Sequence, residues 1–94
     1  MIEKYSRAHL LIKGNVTGVG YRYWTKVHAQ AKSLTGWVKN VNNDMVEAVF
    51  EGKKENIQEL VNLCRIGPVG SSVKELKIHW QEATKEYHDF SIKR

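Results

Sequence analysis

The apolar residues of this 94-residue chain recur with two different periods, and the order in which the periods alternate limits the folds it can form. Ala8, Leu10 and Ile12 alternate with polar residues, which is typical of a strand with one buried face. From Tyr21 the apolar residues recur every three or four positions, which predicts an amphipathic helix that ends at Gly36. The predicted buried stripe of this helix consists of Tyr21, Trp24, Val27, His28, Ala31 and Leu34.

The rest of the chain continues the alternation between strand and helix patterns. The further elements are predicted as strands at 37–41, 46–50, 76–80 and 90–92, a turn at 42–44, and a helix after Gly52 that buries Ile57, Leu60, Val61 and Cys64. The strands alternate instead of forming continuous apolar runs, so each should have one covered face. This order predicts an α+β fold, a ferredoxin-like βαββαβ sandwich. Two helices would cover one face of a mainly antiparallel sheet, and a short fifth strand would end the chain.

Composition narrows the class of protein further. With 41% hydrophobic residues and one proline, the chain can bury a core and is unlike disordered or collagen-like sequences. Its length fits one domain spanning residues 1–94. The single cysteine, Cys64, excludes an internal disulfide and a Cys-based zinc site, which indicates a reducing compartment. Because the first residues lack the pattern of a secretory signal and no segment reaches membrane-spanning length, we expect a cytoplasmic protein without membrane contact.

Residues 14–22, which read GNVTGVGYR, connect the first strand to the first helix and carry three glycines within seven positions. Glycine accepts positive φ and lacks a Cβ, so successive N–H groups can point into one concavity beside the helix start. Arg22 lies in the first helical turn, where a cation is unfavourable by roughly 0.3–1 kcal/mol unless an anion binds nearby. A guanidinium can hold a phosphate through two parallel hydrogen bonds. The segment therefore predicts a phosphate cradle, although the same glycines would suit a loop that only turns the chain.

A second polar residue is predicted to lie beside this loop. In the expected topology the first and second strands are parallel, with the third strand between them. Asn40, near the end of the second strand, therefore reaches the same end of the sheet as the loop. Strands two positions apart are roughly 10 Å apart, which leaves room for a phosphoryl group, an arginine and an amide. Taken alone, Asn40 would also suit a local turn, and its place beside the loop is what favours a role in the site.

Both segments resemble the motifs of a known family. Residues 14–22 resemble the acylphosphatase signature G-x-V-Q-G-V-G-F-R, whereas they match neither the Walker nor the dinucleotide-binding pattern. Residues 36–40, which read GWVKN, are similar to the start of the family's G-W-V-R/K-N…V-E…E-G segment, and residues 46–47 and 51–52 supply its remainder. The resemblance covers essentially the whole chain.

The resemblance implies a hydrolase acting on acid anhydrides, which cleaves the carboxyl–phosphate bond of an acyl phosphate substrate and has phosphate or another anion as product or inhibitor. It implies that the Arg22 side chain and the loop amides bind the phosphoryl group, and that Asn40 positions the attacking water. The residues to which it assigns mainly backbone contacts with the phosphate are Asn15, Val16, Thr17, Gly18, Val19, Gly20 and Tyr21. We expect no cofactor and no metal, because the His and acidic residues near the motifs show no ligand spacing.

The chain departs from the family pattern at three places. Thr17 stands where the family usually has Gln, Tyr21 where it usually has Phe, and the turn at 42–44 lacks the common Asp-Gly. None of these differences removes a side chain to which the resemblance assigns catalysis. They leave open whether the rigidity of the loop and the geometry of the turn differ.

Two other functions share part of the pattern. An RNA-recognition module has the same element order and would suit the formal charge of +5. Its third strand should carry paired surface aromatics, whereas residues 45–51 read MVEAVFE, and we expect Trp24, Trp37 and Trp80 to anchor the core. A regulatory domain that binds an anion without turnover would keep both key side chains and stays open. We expect a monomeric enzyme without a nucleic-acid partner.

Overall fold

The elements follow the predicted order in the computed structural model, which describes residues 4–94. The strands are β1 (Tyr5–Asn15), β2 (Thr35–Asn42), β3 (Met45–Lys53), β4 (Ser72–Gln81) and β5 (Phe90–Ile92), and the helices are α1 (Tyr21–Ala31) and α2 (Lys54–Ile66). Within the described residues the strands form one sheet in the order β4-β1-β3-β2-β5, which confirms the predicted ferredoxin-like α+β fold. No helix between residues 4 and 94 is long and apolar enough to span a membrane.

Strand pairing in the sheet is antiparallel except at one edge. β1 pairs antiparallel with both β3 and β4, and β2 pairs antiparallel with β3, whereas β5 lies parallel to β2. Because β3 lies between β1 and β2, those two strands run in the same direction and finish at the same end of the sheet. The loop after β1 and the end of β2 are therefore neighbours.

The alternation in β1 buries one face of that strand. Ala8, Leu10 and Ile12 are fully buried and share a core cluster with Phe50 of β3 and with residues of both helices. Burying each large apolar side chain contributes roughly 1.5–3 kcal/mol. The buried residues of α2 are the four predicted ones, Ile57, Leu60, Val61 and Cys64. Because Tyr21 at the start of α1 belongs to the same cluster, the core anchors both elements that flank the glycine-rich loop.

The buried face of α1 differs from the predicted stripe. Tyr21, Thr25 and Ala29 are buried, whereas Val27 is 44% exposed, and the helix ends at Ala31, before the predicted limit. The Thr25 hydroxyl is compatible with burial because it donates a hydrogen bond to the carbonyl oxygen of Tyr21, four residues earlier, at 2.8 Å. A pattern built on apolar side chains cannot detect a polar residue that finds its partner within the helix.

Residues 82–89, which connect β4 to β5, cross the face of the sheet opposite the helices. They are held there by Glu51, which projects from β3 toward that face and is only 2% exposed. Its carboxylate accepts hydrogen bonds from the Thr84 amide at 2.8 Å, from the Thr84 hydroxyl at 3.0 Å and from the Lys85 amide at 2.9 Å. It also faces the Arg7 guanidinium at 3.6 Å. The alternation of β3 turns Glu51 away from the core cluster, and its burial depends on a covering segment that is distant in sequence.

The three tryptophans occupy different environments. Trp24 and Trp80 are partly buried against the core, as predicted. Trp37 lies on the outer face of the sheet, where its Nε1 donates a hydrogen bond to the Tyr87 hydroxyl at 3.2 Å. The prediction that Trp37 anchors the core is therefore wrong, because its place in β2 turns its side chain toward the 82–89 crossover.

Replacing Glu51 with glutamine is expected to lower the free energy of unfolding by about 2–3 kcal/mol. Glutamine keeps the size of the side chain, but its NH₂ group would meet donors that need an acceptor, and Arg7 would lose a counter-charge. Urea unfolding followed by circular dichroism measures the loss. Glu82→Gln, an exposed substitution in the same crossover, is the control and should change stability by less than about 0.5 kcal/mol. Equal losses in the two variants would contradict the anchoring role of Glu51.

Candidate active site

The loop after β1, the start of α1 and the end of β2 enclose a cavity of about 520 Å³. Its lining consists of Val16, Gly18, Gly20, Tyr21, Arg22, Tyr23, Asn40, Ile92 and Arg94. The structure therefore brings Arg22 and Asn40, the two side chains predicted for catalysis, to one cavity. Arg22 comes from α1 and Asn40 from β2, so their proximity depends on the parallel arrangement of β1 and β2.

Two glycines shape the backbone of the loop. Gly18 and Gly20 have φ angles of +72° and +77°, in the left-handed region that residues with a Cβ rarely adopt. Among the described residues no atom lies within 4 Å of a Cβ built at either position, so the requirement for glycine comes from the backbone and not from crowding. Left-handed residues within a loop allow successive N–H groups to converge on one concavity. The loop therefore has the conformation that an anion cradle requires.

The start of α1 borders the same cavity. Gly20 is the N-cap residue, and it lines the cavity together with Tyr21 and Arg22. Among the residues that the structure describes, no side chain caps the start of α1, and the first turn of this helix contains no acidic residue. The first N–H groups of a helix lack intrahelical acceptors and carry the positive end of the helix dipole. An anion bound here would satisfy both the donors and the dipole.

Arg22 adds a formal charge to these partial charges. The side chain has neither a hydrogen bond nor an ion pair with another residue in the range 4–94. An unpaired cation in the first turn of a helix opposes the dipole by roughly 0.3–1 kcal/mol. Arg22 is therefore available to an external anion, and binding of that anion would remove the repulsion.

Asn40 is the second polar side chain predicted for the site, and it lines the same cavity. Its Oδ1 atom is buried and has no hydrogen-bond partner in the part of the chain that the structure describes. A buried polar atom without a partner costs about 1–3 kcal/mol. Asn40 pairs with Val46 at the last regular position before the β2–β3 register shifts. A water or a ligand in the cavity could supply the missing donor.

The predicted loop residues divide into two groups. Val16, Gly18, Gly20 and Tyr21 line the cavity, whereas the other three are absent from its lining and hold the loop in place. Asn15 Nδ2 donates a hydrogen bond to the Gly70 carbonyl oxygen at 3.2 Å, Thr17 Oγ1 donates one to the Asn43 carbonyl oxygen at 2.5 Å, and Val19 packs against the core.

Three lining residues were not predicted. Tyr23 follows Arg22 in α1 and is 66% exposed, while Ile92 and Arg94 come from the end of the chain. Ile92 reaches the cavity because β5 lies parallel to β2 and pairs with Val38. The pattern of a three-residue strand does not reveal its neighbour, and a single arginine two residues later gives no signal of its own.

Tyr21 and Cys64 form a neutral contact behind the loop. The Tyr21 hydroxyl donates a hydrogen bond to the Cys64 carbonyl oxygen at 2.6 Å. The Phe that the family usually has at this position lacks this hydroxyl, and the hydrogen bond gives the hydroxyl a partner inside the protein. Burial raises the pKa of the Cys64 thiol to about 12 and raises the pKa of the Tyr21 phenol above its ordinary value. Both groups are therefore protonated at neutral pH, and Cys64 acts as a core residue and not as a nucleophile.

Groups that bind metals are not assembled near this cavity. Among residues 4–94, no three His, Cys, Asp or Glu side chains are placed to hold a metal ion. Within the same range, the residues that line the cavity include no Asp, Glu or His side chain. The absence of a metal and of a cofactor from the reaction stays a prediction.

Comparison with known proteins identifies the family. The acylphosphatase family model matches residues 8–92. The acylphosphatase of Moorella thermoacetica is 45% identical over 80 residues, which cover 85% of this chain and 86% of that protein. The acylphosphatase of Chloroflexus aurantiacus is 40% identical over 86 residues, which cover 92% and 94%. The crystal structure of acylphosphatase from Bacillus subtilis matches with a TM-score of 0.90 at 30% identity, over 95% of this chain and 99% of that one. As its two motifs predicted, the chain belongs to the acylphosphatase family, whose members are hydrolases that act on acid anhydrides.

Proposed function

We propose that this protein hydrolyses the carboxyl–phosphate bond of acyl phosphates to a carboxylate and inorganic phosphate. The observation that carries the proposal is that one cavity is lined both by Arg22, whose guanidinium has no partner within residues 4–94, and by Asn40, whose buried Oδ1 has none in that range either. Within residues 4–94 neither group has a protein partner, which supports a function in ligand binding over one in stability.

The phosphoryl group would bind between the loop, the start of α1 and Arg22. In phosphoryl transfer, negative charge spreads over the three non-bridging oxygens, so catalysis depends mainly on positioning and on charge stabilisation. The loop amides would hold one side of the group, and the Arg22 guanidinium would hold two oxygens through parallel hydrogen bonds. Because the core anchors both flanks of the loop, these donors need little reorganisation when charge develops.

Asn40 would hold the attacking water. Its Oδ1 accepts a hydrogen bond from that water, which leaves a lone pair of the water oxygen free to face phosphorus. A bond forms between this oxygen and phosphorus, and the bond from phosphorus to the acyl oxygen breaks. The carboxylate leaves with the electron pair. The described cavity lining contains no Asp, Glu or His side chain, so the proton of the water would pass to a phosphoryl oxygen of the substrate.

The acyl group would occupy the remaining part of the cavity. Tyr23, Ile92 and Arg94 line this part, and all three are exposed to solvent. A volume of 520 Å³ falls within the range of about 300–1,000 Å³ that is typical of small-molecule sites. An open rim of this kind suits acyl groups of different sizes.

The purified protein is expected to hydrolyse benzoyl phosphate and acetyl phosphate at the same rate with and without EDTA, and to be inhibited by inorganic phosphate. In isotopically labelled water, the label should appear in phosphate and not in the carboxylate, because water attacks phosphorus. A folded protein that binds phosphate in calorimetry but hydrolyses neither compound at micromolar concentration would support a regulatory anion-binding domain and overturn the enzymatic proposal.

The cellular setting follows from the same reasoning. We propose that residues 1–94 act as one domain and as a monomer in the cytoplasm, with a small-molecule substrate and without nucleic-acid or membrane partners. The single cysteine and the acidic third strand support this proposal.

A further inference from the structure

We propose that Thr17 is a positioning residue, which fixes the phosphate loop relative to Asn40; this inference rests on the proposed function. Thr17 Oγ1 donates a hydrogen bond to the Asn43 carbonyl oxygen at 2.5 Å. Asn43 lies in the turn between β2 and β3, three residues beyond Asn40. We call this contact the loop–turn bond. It joins the segment that would bind the phosphoryl group to the hairpin that would hold the water.

On the loop side, the bond is made at the middle of the cradle. Thr17 lies between Val16 and Gly18, which both line the cavity. The backbone bond from the Gly14 amide to the Asp44 carbonyl oxygen, at 2.9 Å, joins the same two segments where the loop begins. Val16, next to Thr17, is buried in the core, and the Thr17 hydroxyl supplies the second hydrogen bond between the loop and the turn.

On the hairpin side, the bond stabilises an irregular stretch. The β2–β3 register shifts between Asn40 and Asn42, so the regular ladder ends immediately after Asn40. Such a bulge makes side-chain direction depend on local backbone geometry. Asn42 Oδ1 accepts a hydrogen bond from the Asp44 amide at 3.0 Å, which orders the turn, and the loop–turn bond ties this ordered turn to the loop. Displacement of the turn would therefore move Asn40 relative to the phosphoryl group.

The loop–turn bond also joins two departures from the family pattern. Thr17 stands in place of the usual Gln, and the Asn-Asn-Asp turn at 42–44 stands in place of the common Asp-Gly. In the structure the Thr17 hydroxyl bonds to the backbone carbonyl oxygen of Asn43, so the contact uses the main chain of the turn and not its side chains. The replacement in the loop therefore contacts the turn through its backbone.

Thr17→Val, which keeps the shape of the side chain but removes its donor, tests this role. We expect kcat for benzoyl phosphate to fall about five- to tenfold, while the inhibition constant for phosphate changes less than about twofold. Thr17→Ser keeps the hydroxyl and should restore most of kcat. In an Asn40→Ala background, Thr17→Val should cause little further loss, because its effect passes through Asn40.

Asn15→Ala is the matched comparison, because it removes one hydrogen bond from the loop to Gly70, on the side away from Asn40. In the double variant, the fold losses in kcat caused by Asn15→Ala and by Asn40→Ala should multiply. Multiplicative effects of Thr17→Val and Asn40→Ala would overturn the inference, as would a loss confined to phosphate affinity. Amide hydrogen exchange distinguishes failure of the positioning role of Thr17 from failure of the proposed function. Without any turnover, Thr17→Val should still accelerate exchange in residues 16–18 and 42–44 together, and unchanged exchange there would overturn the loop–turn bond itself.

Discussion

Arg22→Ala is expected to lower kcat/KM for benzoyl phosphate by about 10³-fold. Arg22 lines the cavity and has no partner in the range 4–94, so truncation removes a group that would act on the substrate alone. The loop amides and the start of α1 remain, but they carry only partial charges. Inorganic phosphate should therefore also bind more weakly to this variant, which calorimetry or inhibition of the residual activity would measure.

Two further variants test whether the loss of activity is due to the guanidinium group itself. Arg22→Lys keeps the charge but loses the fork that holds two oxygens, so it should recover only part of the activity. Lys26→Ala removes a cation one turn later on α1, outside the cavity lining, and should leave kcat/KM within about twofold. Because Arg22 opposes the helix dipole, Arg22→Ala should unfold at the same urea concentration as the wild type or at a slightly higher one. A stable Arg22→Ala variant with near wild-type activity would contradict the proposed site.

Asn40→Ala is expected to lower kcat by about 10²–10³-fold with little change in KM or in phosphate inhibition. Its amide would hold the water and not the phosphoryl group, so the effect should be confined to the chemical step. The same substitution removes a buried oxygen that has no partner among the described residues, and stability should therefore be equal to or above that of the wild type. Steady-state kinetics and urea unfolding test the two halves of this prediction.

A substitution of different chemistry at Asn40 tests whether this residue binds water or only makes the site polar. Asn40→Asp keeps an acceptor for water but places a negative charge beside the phosphoryl group, so both kcat and phosphate affinity should fall. Asn62→Ala, an exposed asparagine on α2, is the control and should retain activity within about twofold. If Asn40→Ala stays folded and active, a group other than Asn40 must position the water.

Predictions from the sequence were most accurate where the physical cause was local. The alternation of Ala8, Leu10 and Ile12 and the four-residue buried face of α2 were both confirmed, because a period of two or 3.6 reports directly which side of an element is covered. The place of Arg22 at the helix start followed from the glycine-rich segment before it. The two motifs, by their resemblance, also identified the family.

Predictions failed where a polar group found its partner through space or along the backbone. Thr25 is buried because its hydroxyl bonds within α1, and Glu51 is buried because residues 82–89 cross over it. Trp37 is large and apolar, which favours a core position, although its strand position turns it toward the same crossover. Hydrophobicity alone cannot separate these cases, since burial of a polar or amphipathic side chain depends on a partner that the local pattern does not contain.

The sequence by itself determined the order of the elements, the family and the chemical types of the two groups proposed for catalysis, because these depend on local periodicity and on short motifs. Only the tertiary structure decided which of those groups share a cavity and what holds them there. The parallel course of β1 and β2 brings Arg22 to the cavity that Asn40 lines, while β5 adds Ile92 and the residues after it add Arg94. The bond from Thr17 to the turn likewise joins residues that are 26 positions apart. Contacts of this kind form only when the whole sheet has assembled, since no local pattern specifies the distance between two loops.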